Sequence, residues 1–200
     1  YIPPARPAKP APIPKPEFVK DATRKKIRKP FNNVTFQYLD KDGKKIGSVA
    51  KIKTPKGGKT FRQFKANGRP GGFGNHIYRI ETIREPNSRP VYIVEGEQSA
   101  IDLSKFCKNV VSWNGGASSA KNVDWSPLEN RDVVIWPDND NQGIMAALDI
   151  KEQLPDAKIL APPAAHPLGW DCSDGISDPE FDIGAFIQES KEYESPEQEK

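Results

Sequence analysis

The sequence contains little cysteine and little methionine. Its 200 residues include 2 cysteines and 1 methionine, and 36% of them are hydrophobic. Cys107 and Cys172 lie in unrelated contexts, and together with His76 and His166 they lack the spacing of a four-ligand zinc site. Two cysteines are also too few for a disulfide framework. We therefore expect idle thiols in a reducing cytosol.

Long apolar runs are also missing. No stretch approaches the roughly 20 apolar residues that span a bilayer, and no secretory signal pattern opens the chain. These absences predict a cytoplasmic protein without a membrane partner. The first residue is Tyr1 and the one methionine is Met145, so we expect a fragment of a longer protein.

Charge is unevenly distributed along the chain. Residues 1–70 contain 19 Lys/Arg and 4 Asp/Glu, whereas residues 71–200 contain 11 and 23. The small net charge of +3 is therefore the sum of a basic N-terminal part and an acidic C-terminal part. This asymmetry favours a polyanion-binding segment followed by an acidic module.

The first half divides into a linker and a β-rich unit. Residues 1–16 contain seven prolines and are followed by a basic run, so 1–30 is predicted to be a stiff basic linker. Residues 34–39 and 46–53 flank a turn at Gly43 and predict a hairpin, with a third strand over 60–66. We predict a small basic β-rich subdomain over 31–88.

The second half alternates short apolar runs with helix-length segments. Runs at 91–94, 109–112, 132–136 and 158–160 predict four strands, and helices are predicted near 98–106, 142–154 and 183–191. This α/β pattern indicates a four-stranded parallel sheet flanked by helices over 89–188. Residues 189–200 are predicted to be a charged tail.

Acidic residues follow two of these strands. Glu95 comes directly after the first, and Asp138 and Asp140 come just after the third. Adjacent strands lie roughly 5 Å apart, so these carboxylates can share a divalent ion such as Mg²⁺. Each motif alone is more often a turn or a helix cap, but their joint placement favours a metal site.

A third acidic segment lies after the fourth strand. Asp171 and Asp174 could complete a second metal position, since two ions can stabilise the attacking and leaving oxygens of a phosphoryl transfer. An ordinary turn at Asp174-Gly175 is an equally good interpretation. We expect glycines to make the turns beside the acidic site, at Gly96, Gly115 and Gly116.

Three segments together resemble a known family. VYIVEGEQSAIDL, VVIWPDNDNQG and GWDCSD resemble, in order, the three blocks of the Toprim domain of phage- and plasmid-type DNA primases and primase-helicases. The resemblance covers roughly residues 90–186. It implies that Glu95, Asp138 and Asp140 are catalytic and bind metal, with Asp171 and Asp174 as further metal ligands.

The resemblance implies a nucleotidyltransferase that synthesises short primers on single-stranded DNA for replication. The enzyme would bind Mg²⁺ or Mn²⁺ in a two-ion site and use nucleoside triphosphates as substrates. It would work with a replicative helicase, in cis or in trans, in the cytoplasm of a bacterial or phage-infected cell. A Toprim nuclease and a non-catalytic nucleic-acid-binding adaptor remain alternatives. The full set of carboxylates argues against the adaptor, whereas no sequence feature excludes the nuclease.

The basic β-rich segment supports the primase branch of the family. A basic sheet surface can hold template phosphates and triphosphates without base specificity. Phe61, Phe64 and Phe73 are candidates for base stacking, and we expect two of them to pack in the core. The candidate nucleic-acid or nucleotide contacts are Lys51, Lys53, Lys59, Arg62 and Lys65.

Overall fold

The computed structural model describes residues 33–83, 89–163, 165–190 and 192–193. The predicted linker at 1–30 lies outside the described residues, as does most of the predicted tail. Two residues of that tail, Glu192 and Tyr193, instead lie against the second sheet: Glu192 forms an isolated bridge with Leu160, and the backbone N–H of Tyr193 donates to the carbonyl of Ile159.

Three antiparallel strands form the first sheet, in the order β1-β2-β3. They are β1 (Val34–Leu39), β2 (Lys45–Lys53) and β3 (Lys59–Lys65). The hairpin prediction is confirmed, and Gly43 has the positive φ, 84°, that this turn requires. The side chain of Asp40 accepts hydrogen bonds from the backbone N–H groups of Asp42 and Lys44, which fixes the same turn.

The second sheet has five strands in the order β4-β6-β5-β7-β8. They are β4 (Ile77–Tyr78), β5 (Val91–Val94), β6 (Val110–Trp113), β7 (Val133–Trp136) and β8 (Lys158–Ile159). The last four are parallel, as predicted. Apolar runs this short suit strands that are buried on both faces.

The edge strand β4 departs from the prediction of a separate subdomain over 31–88. It pairs antiparallel with β6, so a segment of that range belongs to the second sheet. Strand β4 ends at Tyr78, because Arg79 turns the chain with a φ of 67° and a 3₁₀ turn follows over Ile80–Thr82.

Helices connect the parallel strands and close the chain. They are α1 (Glu97–Leu103), α2 (Asn141–Gln153), α3 (Cys172–Ser177) and α4 (Ile183–Glu189). Between β6 and β7 the connection consists of 3₁₀ turns over Ala117–Asn122 and Ser126–Leu128 instead of an α-helix. The short helix α3 was not predicted.

One buried cluster joins the two sheets. Phe36, Tyr38 and Val49 of the first sheet pack with Val94 and Trp136 of the second. A second cluster fills the opposite face of the parallel strands, around Ile93, Val111 and Ile135. Within the part of the chain that the structure describes, no helix is long and apolar enough to cross a membrane.

Candidate active site

Glu95 lies at the carboxyl end of β5, where β5 and β7 run side by side. Val94 and Trp136 are paired across these strands, so Glu95 and Asp138 leave the sheet at neighbouring positions. Gly96 follows with a φ of 84°, and α1 begins directly after it. A side chain at that φ would be strained, which is why the sharp turn from strand to helix uses glycine.

The carboxylates influence one another electrostatically. Burial is the main cause that raises the pKa of Glu95 from 4.5 to about 7, and the negative charges of Asp140 and Asp171 raise this pKa further. A hydrogen bond from the backbone N–H of Ala117 acts in the opposite direction. Glu95, Asp140 and Asp171 come from separate segments of the chain, and their negative charges therefore interact at this edge of the sheet.

Asp140 begins helix α2. Its Oδ1 accepts hydrogen bonds from the backbone N–H groups of Gln142 (2.9 Å) and Gly143 (2.8 Å), so it is the N-cap of that helix. Gly143 brings the helix against Asp138, since a Cβ built on Gly143 would lie 2.5 Å from the carbonyl oxygen of Asp138. The first turn of α2 thus holds both aspartates of the motif.

The third acidic segment begins helix α3. Asp171 is the N-cap, and its Oδ1 accepts a 2.8 Å hydrogen bond from the backbone N–H of Asp174. The Asp174 carboxylate accepts in return from the backbone N–H of Asp171, which completes a capping box. Next to them, the hydroxyl of Ser173 donates to the buried carboxylate of Asp102 at 2.8 Å, which ties α3 to α1.

A cavity of about 1010 Å³ lies between the acidic edge and the first sheet. Its acidic side comprises Glu95, Asp138, Asp171 and Asp174. Its other side is formed by the first sheet and includes two lysines and an aromatic ring, from Lys51, Lys59 and Phe61. Asp140 is not among the residues that line this cavity, consistent with its side chain turning towards the start of α2.

The five predicted basic contacts do not share one surface. Residues opposite each other on antiparallel strands point to the same face, and the register pairs Lys51 with Phe61 and Lys53 with Lys59. Lys65, opposite Gly47, lies on this face as well. Arg62 pairs with Ala50 and therefore points to the opposite face, away from the cavity. Only Lys51 and Lys59 of the five line the cavity.

The prediction from sequence did not single out the pair formed by Tyr38 and Glu97. The Tyr38 hydroxyl donates a 2.9 Å hydrogen bond to Glu97 Oε1, and both side chains are buried. Burial raises the pKa of Glu97, while the Tyr38 hydrogen bond and the charge of Lys51 lower it. Glu97 also lines the cavity. Its only sequence signal is its place in the tripeptide 95–97, and Tyr38 has none.

Two buried asparagines also escaped prediction. Asn139 donates through Nδ2 to the carbonyl groups of His166 and Pro167, which holds the chain leading into α3 beside the acidic motif. Asn114 accepts from the backbone N–H of His76 and donates to the carbonyl of Gly74. Each holds a loop that approaches the site. Amide side chains of this kind give no pattern along the sequence.

The predicted glycine turn after β6 is present. Gly115 and Gly116 have φ values of 96° and 75°, and both line the cavity. A Cβ on Gly115 would also lie 2.7 Å from the Ser119 hydroxyl. Larger residues would strain the backbone and narrow the space in front of Glu95.

In the residues that the structure describes, no group of three or more His, Cys, Asp or Glu side chains is arranged closely enough to hold a metal ion. The catalytic and metal-binding roles of Glu95, Asp138, Asp140, Asp171 and Asp174 therefore stay predictions. Both cysteines are free, Cys172 being buried and Cys107 half-buried.

Comparison with known proteins agrees with this architecture. Residues 90–164 match the family model of the Toprim domain. A DNA primase domain from Pseudomonas aeruginosa is similar, with a TM-score of 0.56 and 19% identity over 80% of this chain and 51% of that one. The Escherichia coli primase catalytic core gives a TM-score of 0.53 and 17% identity over 80% and 53%.

A third similar structure contains the zinc-binding and RNA polymerase domains of the Aquifex aeolicus primase, with a TM-score of 0.56 and 19% identity over 80% of this chain and 41% of that one. The chain thus spans about half the length of the first of these solved structures. No curated protein sequence matches it. Residues 90–164 thus match the Toprim family model, within a fold similar to that of the catalytic cores of DNA primases.

Proposed function

We propose that this chain is the catalytic core of a DNA primase, a nucleotidyltransferase that makes short primers on single-stranded DNA. The observation that carries the proposal is the cavity between the two sheets. It places the carboxylates Glu95 and Asp138 opposite the cationic side chains Lys51 and Lys59. A nucleotidyl transfer needs both, since phosphates must be held while a hydroxyl group attacks one of them.

The donor set suits a divalent cation. The pKa of Glu95 is raised chiefly by burial and further by Asp140 and Asp171, so negative charge accumulates at this edge of the sheet. A cation would relieve that repulsion, and carboxylate oxygens are the ligands that Mg²⁺ and Mn²⁺ prefer. We propose that Glu95 and Asp138, which line the cavity, hold a first ion together with substrate phosphates. Asp140 would join them by turning away from its cap on α2, and Asp171 and Asp174 would hold a second ion. When bound, these ions supply positive charge to the phosphates of a nucleotide.

The chain's own residues have separable tasks in this reaction. Lys51 and Lys59 bind phosphate oxygens on the side of the first sheet. Glu95, which directly follows β5 at the edge of the cavity, is the residue to which we assign acceptance of the proton from the attacking 3′-hydroxyl group. The oxygen of that hydroxyl bonds to the α-phosphate, and pyrophosphate leaves. Single-stranded DNA and nucleoside triphosphates are the partners that this chemistry requires, and a replicative helicase stays a prediction from the resemblance.

A primer-synthesis assay tests the proposal. Single-stranded DNA and labelled nucleotides are incubated with Mg²⁺ or Mn²⁺ and either the native chain, Glu95→Gln, or the double variant Asp138→Ala, Asp140→Ala. We expect short metal-dependent products from the native chain and at least a hundredfold loss in both variants, as is typical when a catalytic acid/base group is removed. Glu152→Gln is the matched control, since Glu152 lies exposed on α2 outside the cavity.

The products distinguish the alternative functions. Synthesis that persists in the double aspartate variant would contradict the assigned roles. Shortened template strands without new products would indicate a Toprim nuclease. Calorimetry with Mn²⁺ adds an independent readout: the native chain should release heat on binding and Glu95→Gln should bind less tightly, whereas DNA binding without any ion binding would indicate an adaptor.

A further inference from the structure

Phe61 is an exposed aromatic residue on the wall of the cavity. Large hydrophobic side chains are exposed at four positions in the described part of the chain: Phe61, Phe106, Met145 and Leu168. Of these four, Phe61 alone lines the cavity. Its exposure, 50%, leaves half of a strongly apolar residue in contact with water, although the apolar residues Phe36 and Val49 on the same face are buried.

The register of the first sheet explains why this ring stays exposed. Phe36, Val49 and Gln63 lie opposite one another across the three strands, and Phe36 and Val49 pack in the core that joins the sheets. The next row on that face consists of Val34, Lys51 and Phe61. In this row only Val34, at the far end from Phe61, packs against the core, and Phe61 lines the cavity instead.

The ring lies among cations. The Lys59 ammonium is 5.9 Å from the centroid of the Phe61 ring, and Lys51 is the direct cross-strand neighbour of Phe61. With the Lys59 ammonium over one face of the ring and Lys51 on the neighbouring strand, the ring and the two cations offer contacts that a nucleotide satisfies together. A base stacks on the ring, and the adjoining phosphate contacts the lysines.

We infer that Phe61 is a stacking platform for a nucleobase, with Lys51 and Lys59 holding the phosphate next to it. This inference rests on the proposed primase function, since it assigns a subsite in the same cavity. It adds a base-dependent contact to a sheet that otherwise binds through charge alone. The base comes either from the template strand or from a free nucleotide, and both present the same π-face.

Equilibrium binding to the full chain tests the inference with paired probes. A short single-stranded oligodeoxynucleotide is compared with an abasic oligomer of equal length and charge, and ATP is compared with inorganic triphosphate. We expect Phe61→Ala to weaken binding of the oligonucleotide or of ATP by about tenfold, a typical cost of losing one stacked base. Binding of the abasic oligomer and of triphosphate should remain unchanged. The pair that responds identifies the source of the base.

Three further variants separate stacking from folding and from general hydrophobicity. Phe61→Leu keeps an apolar side chain without a π-face and should lose the base-dependent part of binding, whereas Phe61→Trp should retain it. Phe106→Ala removes an exposed phenylalanine outside the cavity and should change nothing. The native tryptophans also emit, and Trp113 lines the cavity, so the difference in emission between Phe61→Trp and the native chain reports on position 61. This difference should be quenched by ATP or the oligonucleotide but not by triphosphate.

The outcomes also separate this inference from the proposed function. The stacking role is overturned if Phe61→Ala weakens the binding of probes with and without a base equally, or weakens the binding of neither. This holds even if primers are made. If the native chain makes no primers but shows base-dependent binding that Phe61→Ala and Phe61→Leu both lose, the result supports the stacking platform. The same result overturns the proposed polymerase function.

Discussion

Gly143 fixes the position of a catalytic candidate through its lack of a side chain. A Cβ at this position would lie 2.5 Å from the carbonyl oxygen and 2.8 Å from the backbone nitrogen of Asp138. Because backbone atoms block the space, neither helix α2 nor the aspartate can accept an added methyl group without moving. Gly143 is therefore a positioning residue for Asp138.

We predict that Gly143→Ala lowers primer synthesis strongly, because the aspartate is displaced. The overpacking should also cost about 1–3 kcal/mol of unfolding free energy, measured by urea denaturation. Gly184→Ala in α4 is the control, since its Cβ would meet a side-chain oxygen of Asp182 at 3.3 Å. Unchanged synthesis in Gly143→Ala would show that the position of Asp138 is not critical.

The raised pKa of Glu95 predicts a pH dependence of stability in the metal-free chain. Its pKa is about 7 in the folded chain and 4.5 as the ordinary value, so the folded state holds the proton more tightly than the unfolded state. The resulting stabilisation is fully present below 4.5 and is lost as the pH rises through about 7. Compared with the Glu95→Gln variant, the native chain should therefore lose unfolding free energy as the pH rises from 4.5 to about 7.

Urea denaturation in the presence of a chelator, at several pH values for both chains, measures this difference. If the difference in unfolding free energy between the native chain and Glu95→Gln does not change with pH, the raised pKa of Glu95 is contradicted. Because protons and metal ions compete for the same carboxylate, Mn²⁺ binding measured by calorimetry should tighten over the same pH window.

At the scale of elements, the alternation of strand β3 separates two basic residues that are three positions apart in sequence. Lys59 points into the cavity, whereas Arg62 points to the other face of the sheet. Successive side chains of a strand point to opposite faces of the sheet. Basic residues that are close together in sequence can therefore lie on two different surfaces.

We predict that Lys59→Ala weakens binding of single-stranded DNA and reduces the salt dependence of binding by about one counterion, as expected for one lost phosphate contact. Arg62→Ala, which removes the same formal charge from the same strand, should have a clearly smaller effect. Fluorescence anisotropy at several salt concentrations measures both. Equal effects of the two variants would mean that DNA does not use the cavity face.

At the scale of the whole molecule, the two sheets are joined by a buried core and by one buried polar contact. The hydrogen bond from Tyr38 to Glu97 connects β1 of the first sheet to the start of α1, close to Glu95. Burial raises the pKa of the Tyr38 hydroxyl, and the charge of Glu97 raises it further, so Tyr38 remains a donor at neutral pH. The basic wall is thereby held at a fixed distance from the acidic edge.

Tyr38→Phe should lower the unfolding free energy by about 1–3 kcal/mol, because a buried carboxylate loses its donor while the packing of the ring is retained. A double-mutant cycle with Glu97→Gln measures the pair directly by urea denaturation. Additive effects in that cycle would show that the contact contributes nothing to the docking of the sheets. Tyr78→Phe, in the same aromatic cluster, is the matched control.

The sequence by itself determined the local elements and the position of the acidic motifs along the chain. Periodicity, turn glycines and apolar runs depend on neighbours in sequence, so β1, β2 and the four parallel strands could be predicted within a few residues. Because the strands were predicted to be parallel, their carboxyl ends, and with them Glu95 and Asp138, were expected at one edge of the sheet. The Toprim family model matches residues 90–164, which contain the first two of the three motifs and end before the third.

Only the tertiary structure decided which side chains share the cavity. The docking of the first sheet on the second depends on contacts between residues far apart in sequence, such as Tyr38 and Glu97, and no local pattern encodes them. The same docking leaves Phe61 exposed at the cavity, and a long-range pairing with β6 places β4 in the second sheet. Local propensities specify strands and helices, whereas long-range packing selects the residues that meet at the site.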